Sequence, residues 1–203
     1  MNAKKALLFA SAFVLILSAA VVAWALLPQR ELLGEVRLVP APEQSEAVTP
    51  EWAVVKVFTP EDLGENLALG KETSDNGHIG PYVSKNAVDG DPLTYYEGTQ
   101  NAYPNELVVD LGETLRASKV RILLNPDPIW AERTQTLSIL KSLDGESYTA
   151  IAEDAACFFD PILGGNQAVI DLGGAHELRF LKVSFTKNTE ANAGQAAELQ
   201  IYG

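Results

Sequence analysis

Short runs of alternating apolar and polar residues recur along the chain from Asn66 onward. They are rich in Val, Ile, Leu, Phe and Thr, which favour β-strands. Turn residues separate them, with Leu-Gly at 111–112, Asp-Gly at 144–145 and Gly-Gly at 164–165 and 173–174. The pattern predicts strands over 106–111, 119–125, 134–142, 147–152, 167–172, 178–186 and 197–203. Because no helical periodicity lies between these runs, we expect an all-β antiparallel sandwich or jelly roll and no βαβ units.

A different pattern occupies the N-terminus. Residues 6–27 are apolar except for Ser11 and Ser18, and Lys4 and Lys5 precede them. As a helix this segment would extend about 33 Å, enough to cross a hydrocarbon core of ~30 Å. A buried core helix is a poor alternative, since such helices are seldom apolar all round at this length. The pattern therefore predicts one transmembrane helix after a short cytoplasmic n-region, 1–5.

A cleaved secretory signal is the competing interpretation of the same segment. The lysines would form its positive region, and Val21-Val22-Ala23 offers a small-residue cleavage site. The apolar run is longer than the ~7 to 15 residues usual in signals, which favours an uncleaved anchor. Both interpretations place everything after Arg30 outside the cytoplasm, membrane-anchored in one case and secreted in the other.

The stretch 28–65 contains prolines at 28, 40, 42 and 50 and a polar patch at 43–46, which indicates an extended linker. Within it, 51–58 has strand composition, and its pattern does not say whether it joins the sheet. The soluble domain is expected over 66–203.

Composition and charge narrow the class of partner. The chain of 203 residues carries 15 Lys+Arg against 27 Asp+Glu, a formal net charge of −12. This sign excludes nucleic acid binding, in which basic groups release counterions from the phosphates, and it disfavours binding to anionic lipid surfaces. With Cys157 as the single cysteine, no internal disulfide is available, and it is expected to be a small buried residue.

Seven blocks of the chain resemble, in order and spacing, the coagulation factor 5/8 type C (discoidin-like) domain, whose bacterial members include the family 32 carbohydrate-binding modules. The blocks are NLALGK, NAVDGDPLTYY, ELVVDLG, SKVRILL, LSILKSLDGESY, LRFLKVSF and AELQIYG. The resemblance implies an eight-stranded antiparallel jelly roll of the galactose-binding-domain-like type, with its terminal strands close together. Bacterial members commonly carry Trp at the places of Tyr96, Glu106 and Tyr148, and the charge of Glu106 indicates a solvent-facing position here.

The segment Asn86–Gly98, NAVDGDPLTYYEG, gathers oxygen-bearing side chains in one turn. From spacing alone, an Asp-rich turn whose carboxylates cap backbone N–H groups is the favoured interpretation. The resemblance implies instead a structural Ca²⁺, because hard cations bind oxygen ligands and the family holds an ion here. Its implied ligands are the carbonyls of Asn86 and Ala197 and the side chains of Asp89, Asp91, Thr94 and Glu198.

For ligand binding, the loop 125–135 is the most informative. It presents Trp130 and Arg133 after two prolines, and an indole can cover the C–H face of a sugar while a guanidinium donates to its hydroxyls. The alternative is a buried Trp130 with Arg133 paired to Glu132 or Asp127. The stretch WAERTQTL resembles modules attached to bacterial α-glucan-degrading enzymes. Further polar contacts are expected from Glu97, Gln100, Asn101, Tyr103 and His78.

Other residues have weaker indications. His176 is expected to be structural, and Phe158-Phe159 either rims a site or, as we favour, ends a strand at the core. No catalytic set, zinc spacing or phosphate loop is evident, so we expect no enzyme activity. The sequence thus predicts an extracytoplasmic glycan-binding module. The alternatives are a cell-surface domain that binds a protein partner, and lipid recognition by apolar loop tips, which the acidic charge disfavours.

Overall fold

The structure is a computed structural model that describes residues 60–203. The predicted membrane segment 6–27 and the strand-like stretch 51–58 lie outside these residues. Among residues 60–203, no helix combines the length and the apolar character needed to cross a membrane.

Eight strands form the described fold, together with two short 3₁₀ helices, Ser84–Val88 and Pro128–Trp130. Their bounds are β1 Glu72–Asp75, β2 Tyr96–Glu97, β3 Asn105–Leu123, β4 Arg133–Ser142, β5 Thr149–Phe159, β6 Gln167–Asn188, β7 Gln195–Ala196 and β8 Glu198–Tyr202. The main sheet has the order β1-β3-β6-β4-β5, with β8 also paired to β3, and β2 pairs with β7 separately. All these pairs are antiparallel, so the all-β prediction is confirmed.

Two long, irregular strands replace four of the predicted ones. β3 includes the predicted strand 106–111 and most of 119–125, ending at Leu123, and β6 spans 167–172 and 178–186. The ladder between them shifts register between Asp110 and Leu115 and again between Ala117 and Lys119. The first half of β3 pairs with β1, and its second half pairs with β8. The expected turns at 111–112 and 173–174 are therefore irregularities within continuous strands, which bend where the extra residues are accommodated.

Alternate side chains of these strands fill one core. Leu107 and Val109 from the first half of β3 and Val120 and Ile122 from its second half are all fully buried. Period-two alternation along a strand puts such residues on the same face, which explains why the sequence pattern predicts the core well. Cys157 is buried, as expected, and burial raises the pKa of its thiol to about 11.

Strand β5 extends to Phe159, beyond the predicted strand 147–152. It therefore includes Phe158 and Phe159, for which the sequence left two interpretations. Phe159 is fully buried in the core, whereas Phe158, on the opposite face of the strand, is exposed. The expectation of a strand end that packs into the core is thus confirmed for Phe159.

The beginning and the end of the described domain lie side by side. The backbone N–H of Leu67 donates to the carbonyl of Ile201, 2.8 Å away. The Asn66 side chain accepts a bond from the Ile201 N–H. Glu61, within the predicted linker, also contacts β3: Lys119 Nζ lies 3.3 Å from its carboxylate, and the Arg121 guanidinium donates to its carbonyl.

Candidate functional site

Trp130 ends a short 3₁₀ helix that is fixed from its first residue. Asp127 accepts a hydrogen bond from the Ile129 N–H at 3.0 Å, and Pro128 sets the backbone angle of the turn. Trp130 is half-buried and packs against the core, while Ile129 beside it is 84% exposed. The loop therefore offers an indole that is partly covered, which lies between the exposed platform and the buried lid considered from the sequence.

Arg133 lies directly behind Trp130. Its guanidinium carbon is 4.9 Å from the centre of the indole, a cation–π distance, and only 8% of the residue is exposed. Nη1 donates to Oε1 of Gln195 at 2.7 Å, and burial lowers the pKa of Arg133. Within residues 60–203, neither Glu132 nor Asp127 forms an ion pair with it, so the pairing considered as the alternative is not formed.

The two remaining nitrogens of Arg133 differ in access to solvent. Nε is enclosed and has no hydrogen-bond partner. Nη2 forms no hydrogen bond within residues 60–203 and is not among the enclosed atoms without a partner, so it is the guanidinium nitrogen that keeps contact with solvent. The Nη2 amino group of this buried guanidinium can therefore donate a hydrogen bond to an acceptor on a bound ligand.

Two tyrosines extend the aromatic surface beyond Trp130. The Tyr95 ring stands perpendicular to the indole with centres 4.7 Å apart, and the Tyr82 ring stacks on Tyr95 at 4.2 Å. Burial and the neighbouring Tyr82 hydroxyl raise the pKa of Tyr95. The Tyr95 phenol therefore remains a neutral hydrogen-bonding group at physiological pH.

These groups line a shallow, open cavity of about 250 Å³, which we call the Trp130 depression. Its lining is formed by Tyr95, Ile129, Trp130, Arg133 and Gln195. Its wall combines two aromatic rings and one aliphatic side chain with the polar groups of Arg133 and Gln195, and polar atoms make up the larger part of the exposed wall.

A buried polar chain connects the Trp130 depression to the loop after β2. Gln195 Nε2 donates to the Glu97 carboxylate at 3.0 Å, and Gln100 Nε2 donates to its other oxygen at 3.2 Å. Gln135 fixes the Gln195 backbone through its N–H at 2.8 Å and its carbonyl at 2.9 Å. The structure thus brings Glu97 and Gln100 into the network of Arg133, but Glu97 is buried as a support.

The other predicted contacts lie along the loops beside this network. Asn101 is exposed, with a φ of 58°, and the Tyr103 hydroxyl donates to the Ala191 carbonyl at 3.3 Å. His78 forms a bridge with Gly98, and its Nδ1 lies 3.0 Å from Asp75. Asn101, Tyr103 and His78 do not line the Trp130 depression.

Sequence reasoning did not single out Tyr95, Ile129, Gln195 or Tyr82 as site residues. Tyr95 follows the predicted ligand Thr94, and Ile129 precedes the predicted contact Trp130. No feature of the sequence indicates that these neighbouring side chains also line the cavity. Gln195 is placed by the β2–β7 pairing, in which Glu97 lies opposite it. Only the tertiary structure reveals that contact, because almost a hundred residues separate the two along the chain.

The acidic turn and the end of the chain meet at Glu198. This residue is 2% exposed, and its Oε1 accepts the Gly90 N–H at 2.8 Å, while Oε2 is buried without a partner. Gly90 has a φ of 83°, which explains the glycine at this position. Burial raises the pKa of Glu198 to about 7, and nearby Asp89 contributes to the rise.

The remaining acids of the turn bond to its own backbone and hydroxyl groups. Asp89 accepts from the Asp91 N–H at 2.8 Å and from the Thr94 hydroxyl at 2.7 Å, and Asp91 accepts from the Leu93 N–H. Asn86 uses its amide on the carbonyls of Pro81 and Tyr95. Across residues 60–203, no three His, Cys, Asp or Glu side chains converge as a metal centre. The orphaned Glu198 oxygen nevertheless fits a cation held partly by carbonyl and hydroxyl oxygens.

Three neighbouring loops repeat one local structure, an Asp-Pro turn followed by an exposed aliphatic residue. Asp91, Asp127 and Asp160 each accept a hydrogen bond from the N–H two residues later. The residues displayed are Leu93, 65% exposed, Ile129, 84%, and Ile162, 69%. The loops are joined because Asn125 donates to the Leu93 carbonyl and accepts from Asn166.

The sequence and the fold of this domain are similar to those of known proteins. The sequence model of the F5/8 type C domain family matches residues 70–199. No curated protein sequence matches the chain. The solved structures similar to it are largely modules that bind carbohydrates or parts of enzymes that act on them.

Three solved structures illustrate the likeness. A family 32 carbohydrate-binding module of Clostridium perfringens with GalNAc-β-1,3-galactose is 17% identical, with a TM-score of 0.57, covering 68% of this chain and all (100%) of the module. Chitosan-binding module 2 of a Paenibacillus sp. IK-5 chitosanase/glucanase, with chitotriose, is 23% identical, with a TM-score of 0.52 and coverage of 68% and 100%. A family 89 glycoside hydrolase of C. perfringens is 22% identical, with a TM-score of 0.56, covering 69% of this chain and 15% of the hydrolase. These identities establish a shared fold.

Proposed function

Because the chain belongs to the F5/8 type C domain family, we propose that its domain is a non-catalytic carbohydrate-binding module that holds a glycan in the Trp130 depression. The observation that carries the proposal is the accessible Nη2 of Arg133 beside the Trp130 and Tyr95 rings. Sugars combine apolar C–H faces with arrays of hydroxyls, and this cavity combines aromatic walls with a fixed donor. The similarity in fold to solved carbohydrate-binding modules supports the same class of ligand.

Each residue of the depression has a role in this proposal. Trp130 and Tyr95 contact the apolar face of a sugar ring, and Ile129 closes one side. Arg133 Nη2 donates to a hydroxyl or ring-substituent oxygen, while Gln195 holds the guanidinium in place through Nη1. Because Gln135 and Glu97 fix Gln195, the donor is oriented before the ligand arrives, which reduces the entropy lost on binding.

The first prediction concerns Trp130→Ala. We expect this variant to lose at least tenfold in glycan affinity, about 1.4 kcal/mol, because it removes the ring surface and the partner of Arg133. The purified full-length chain would be applied to a glycan array that includes chitosan, pectin, alginate, α-glucan and galactose-terminated oligosaccharides. The affinity for the best ligand would then be measured for both proteins by calorimetry.

Phe158→Ala is the matched control, since Phe158 is an exposed aromatic residue outside the depression. It should bind like the unmodified chain. If no glycan binds, or if Trp130→Ala lowers the melting temperature without changing affinity, the proposal is wrong.

The second part of the proposal is a structural Ca²⁺ at the acidic turn. Its ligands would be the Asn86 and Ala197 carbonyls with Asp89, Asp91, Thr94 and Glu198. The buried Glu198 oxygen without a partner supports this assignment, since a cation would compensate its charge. The ion would hold the turn against β8, and this role is structural.

A protein-binding role is the alternative function, and the exposed Leu93, Ile129 and Ile162 favour it. Exposed aliphatic residues on adjoining loops are typical of interaction surfaces. Under either function we propose that residues 6–27 anchor the chain in the membrane with the domain outside the cytoplasm, as their apolar pattern predicts.

A further inference from the structure

A second depression adjoins the Trp130 depression on the other side of Tyr95. It has a volume of about 290 Å³ and is lined by Pro81, Tyr82, Asn86, Leu93, Thr94 and Tyr95. We call it the Tyr82 depression. Tyr95 belongs to both linings, so the two cavities are neighbours that share this residue.

We infer that the two depressions are neighbouring subsites of one groove, so that the ligand is an oligosaccharide of at least two linked units and not a single terminal sugar. This inference rests on the proposed glycan-binding function. It adds the length of the ligand and the residues that recognise its second unit.

Size is the first argument. Ligand pockets usually enclose about 300–1,000 Å³. The Trp130 depression, about 250 Å³, and the Tyr82 depression, about 290 Å³, each fall below this range, whereas the two together lie within it. A ligand confined to one of them would stay largely in solvent.

The aromatic row is the second argument. Tyr82 stacks on Tyr95 with centres 4.2 Å apart, and Tyr95 meets Trp130 at 4.7 Å. The three rings thus contact one another in a row that runs from one depression to the other. A chain of sugar units can follow such a row, because every unit carries apolar C–H groups.

The two subsites differ in chemistry. The Trp130 depression contains Arg133 and Gln195, which supply fixed polar contacts. In the Tyr82 depression the Asn86 amide and the Thr94 hydroxyl already donate within the domain, so Pro81 and Leu93 dominate its free surface. The first subsite therefore selects the hydroxyl pattern of a sugar, and the second adds apolar contact.

The groove is also preformed. Ile129 lines the Trp130 depression and Leu93 lines the Tyr82 depression, and each is held by an Asp-Pro turn. Asn125 donates to the Leu93 carbonyl at 3.3 Å and so connects the two turns. Rigid walls spare a flexible ligand part of the ordering cost of binding.

The test is the dependence of affinity on ligand length in the full-length chain. Chitosan, α-glucan, pectin and alginate oligomers of one to four units would be titrated by calorimetry. We expect two units to bind at least about tenfold more tightly than one, because the second unit binds as a tethered group. Leu93→Ala should weaken two-unit binding about fivefold and leave one-unit binding unchanged.

Leu93 is largely exposed, so its truncation should not disturb folding. Leu143→Ala, another exposed leucine that lines neither depression, is the control and should bind all lengths normally. Equal affinity for one and two units overturns the inference but leaves the proposed function intact, as does a Leu93→Ala variant that weakens single units equally. If no series binds at any length, both the function and the inference are wrong.

Discussion

Arg133 is one of two arginines that are buried without a carboxylate partner among residues 60–203, the other being Arg121. Arg133 is neutralised by no acid within the described residues, and its position depends on the Gln195 amide and the Trp130 ring. A carboxylate would occupy both ends of the guanidinium fork, whereas an amide oxygen occupies one. The choice of glutamine thus leaves Nη2 available for a ligand.

Asp75 controls the loop that carries Tyr82. Its carboxylate is buried and accepts from the Gly77 N–H at 3.0 Å, the Ser84 N–H at 3.3 Å and His78 Nδ1 at 3.0 Å. Burial acts to raise the pKa of Asp75, but these hydrogen bonds outweigh it, and the net pKa is lowered. The folded state therefore binds a proton at this group less readily than the unfolded chain.

The sign of this shift gives a pH prediction. A lowered carboxylate pKa contributes stability above the unfolded value of ~3.9, and this contribution is lost as the pH falls through the folded value. We expect Asp75→Asn to flatten the acid limb of the stability curve, measured by urea unfolding between about pH 2 and 6. Asp154→Asn, an exposed aspartate on β5 with no hydrogen bond to its carboxylate, is the control. An acid limb as steep in Asp75→Asn as in the unmodified chain would contradict the assignment.

For single residues, the sequence predicted which side chains belong to the candidate site better than it predicted their contacts and exposure. Trp130 and Arg133 were singled out from their residue types, and the structure places them together. Glu106 was expected to face solvent, but it pairs with Lys182 at 3.0 Å and is only partly exposed. Lys182 in turn lies 4.1 Å from the centre of the Tyr148 ring. An ion pair and a cation–π contact thus occupy two of the positions where relatives were expected to carry Trp, and single-residue burial cannot reveal such a partner.

The strands show why the fold itself was predictable. Period-two alternation in β3, β4 and β6 marks the core face regardless of where the chain bends. The bends were not predictable, because Gly at a strand irregularity and Gly at a turn look alike in sequence. The short strands β1, β2 and β7 escaped notice, since two to four residues carry no periodicity.

The pairing across β3 and β6 yields a prediction about Glu106. Glu106→Gln keeps the shape of the side chain but leaves Lys182 unpaired, so we expect a loss of about 0.5–1 kcal/mol in unfolding free energy. The loss should shrink in high salt, because the pair is partly exposed. Glu72→Gln on the neighbouring edge strand, where no ion pair forms, is the control and should change little. Equal effects of the two substitutions would show that the pair contributes nothing.

The contacts of the last strand, β8, connect distant parts of the domain. Besides its pairing with β3, β8 is fixed to the N-terminal residues through Asn66 and to the acidic turn through Glu198. The proposed Ca²⁺ would strengthen the second of these connections, which joins residues more than a hundred positions apart. Loss of the ion should therefore affect the stability of the entire fold.

Chelation tests this directly. An ion at a hundred times its Kd stabilises by about 2.7 kcal/mol, so EDTA should lower the melting temperature by roughly 5–10 °C, and added Ca²⁺ should restore it. Glu198→Gln should be insensitive to both additions, whereas Asp127→Asn, in a turn outside the proposed site, should respond like the unmodified chain. A melting temperature of the unmodified chain that ignores EDTA would exclude a stabilising ion.

The hydrogen bond from Leu67 to Ile201 has an evolutionary consequence. A domain that begins and ends at one point can be spliced into a loop of a host protein without separating the two sides of that loop. Its binding groove would travel with it intact, because every contact that shapes the groove lies within residues 75–195. Such portability fits a fold that occurs in a binding module of a chitosanase/glucanase and as a small fraction of a large hydrolase.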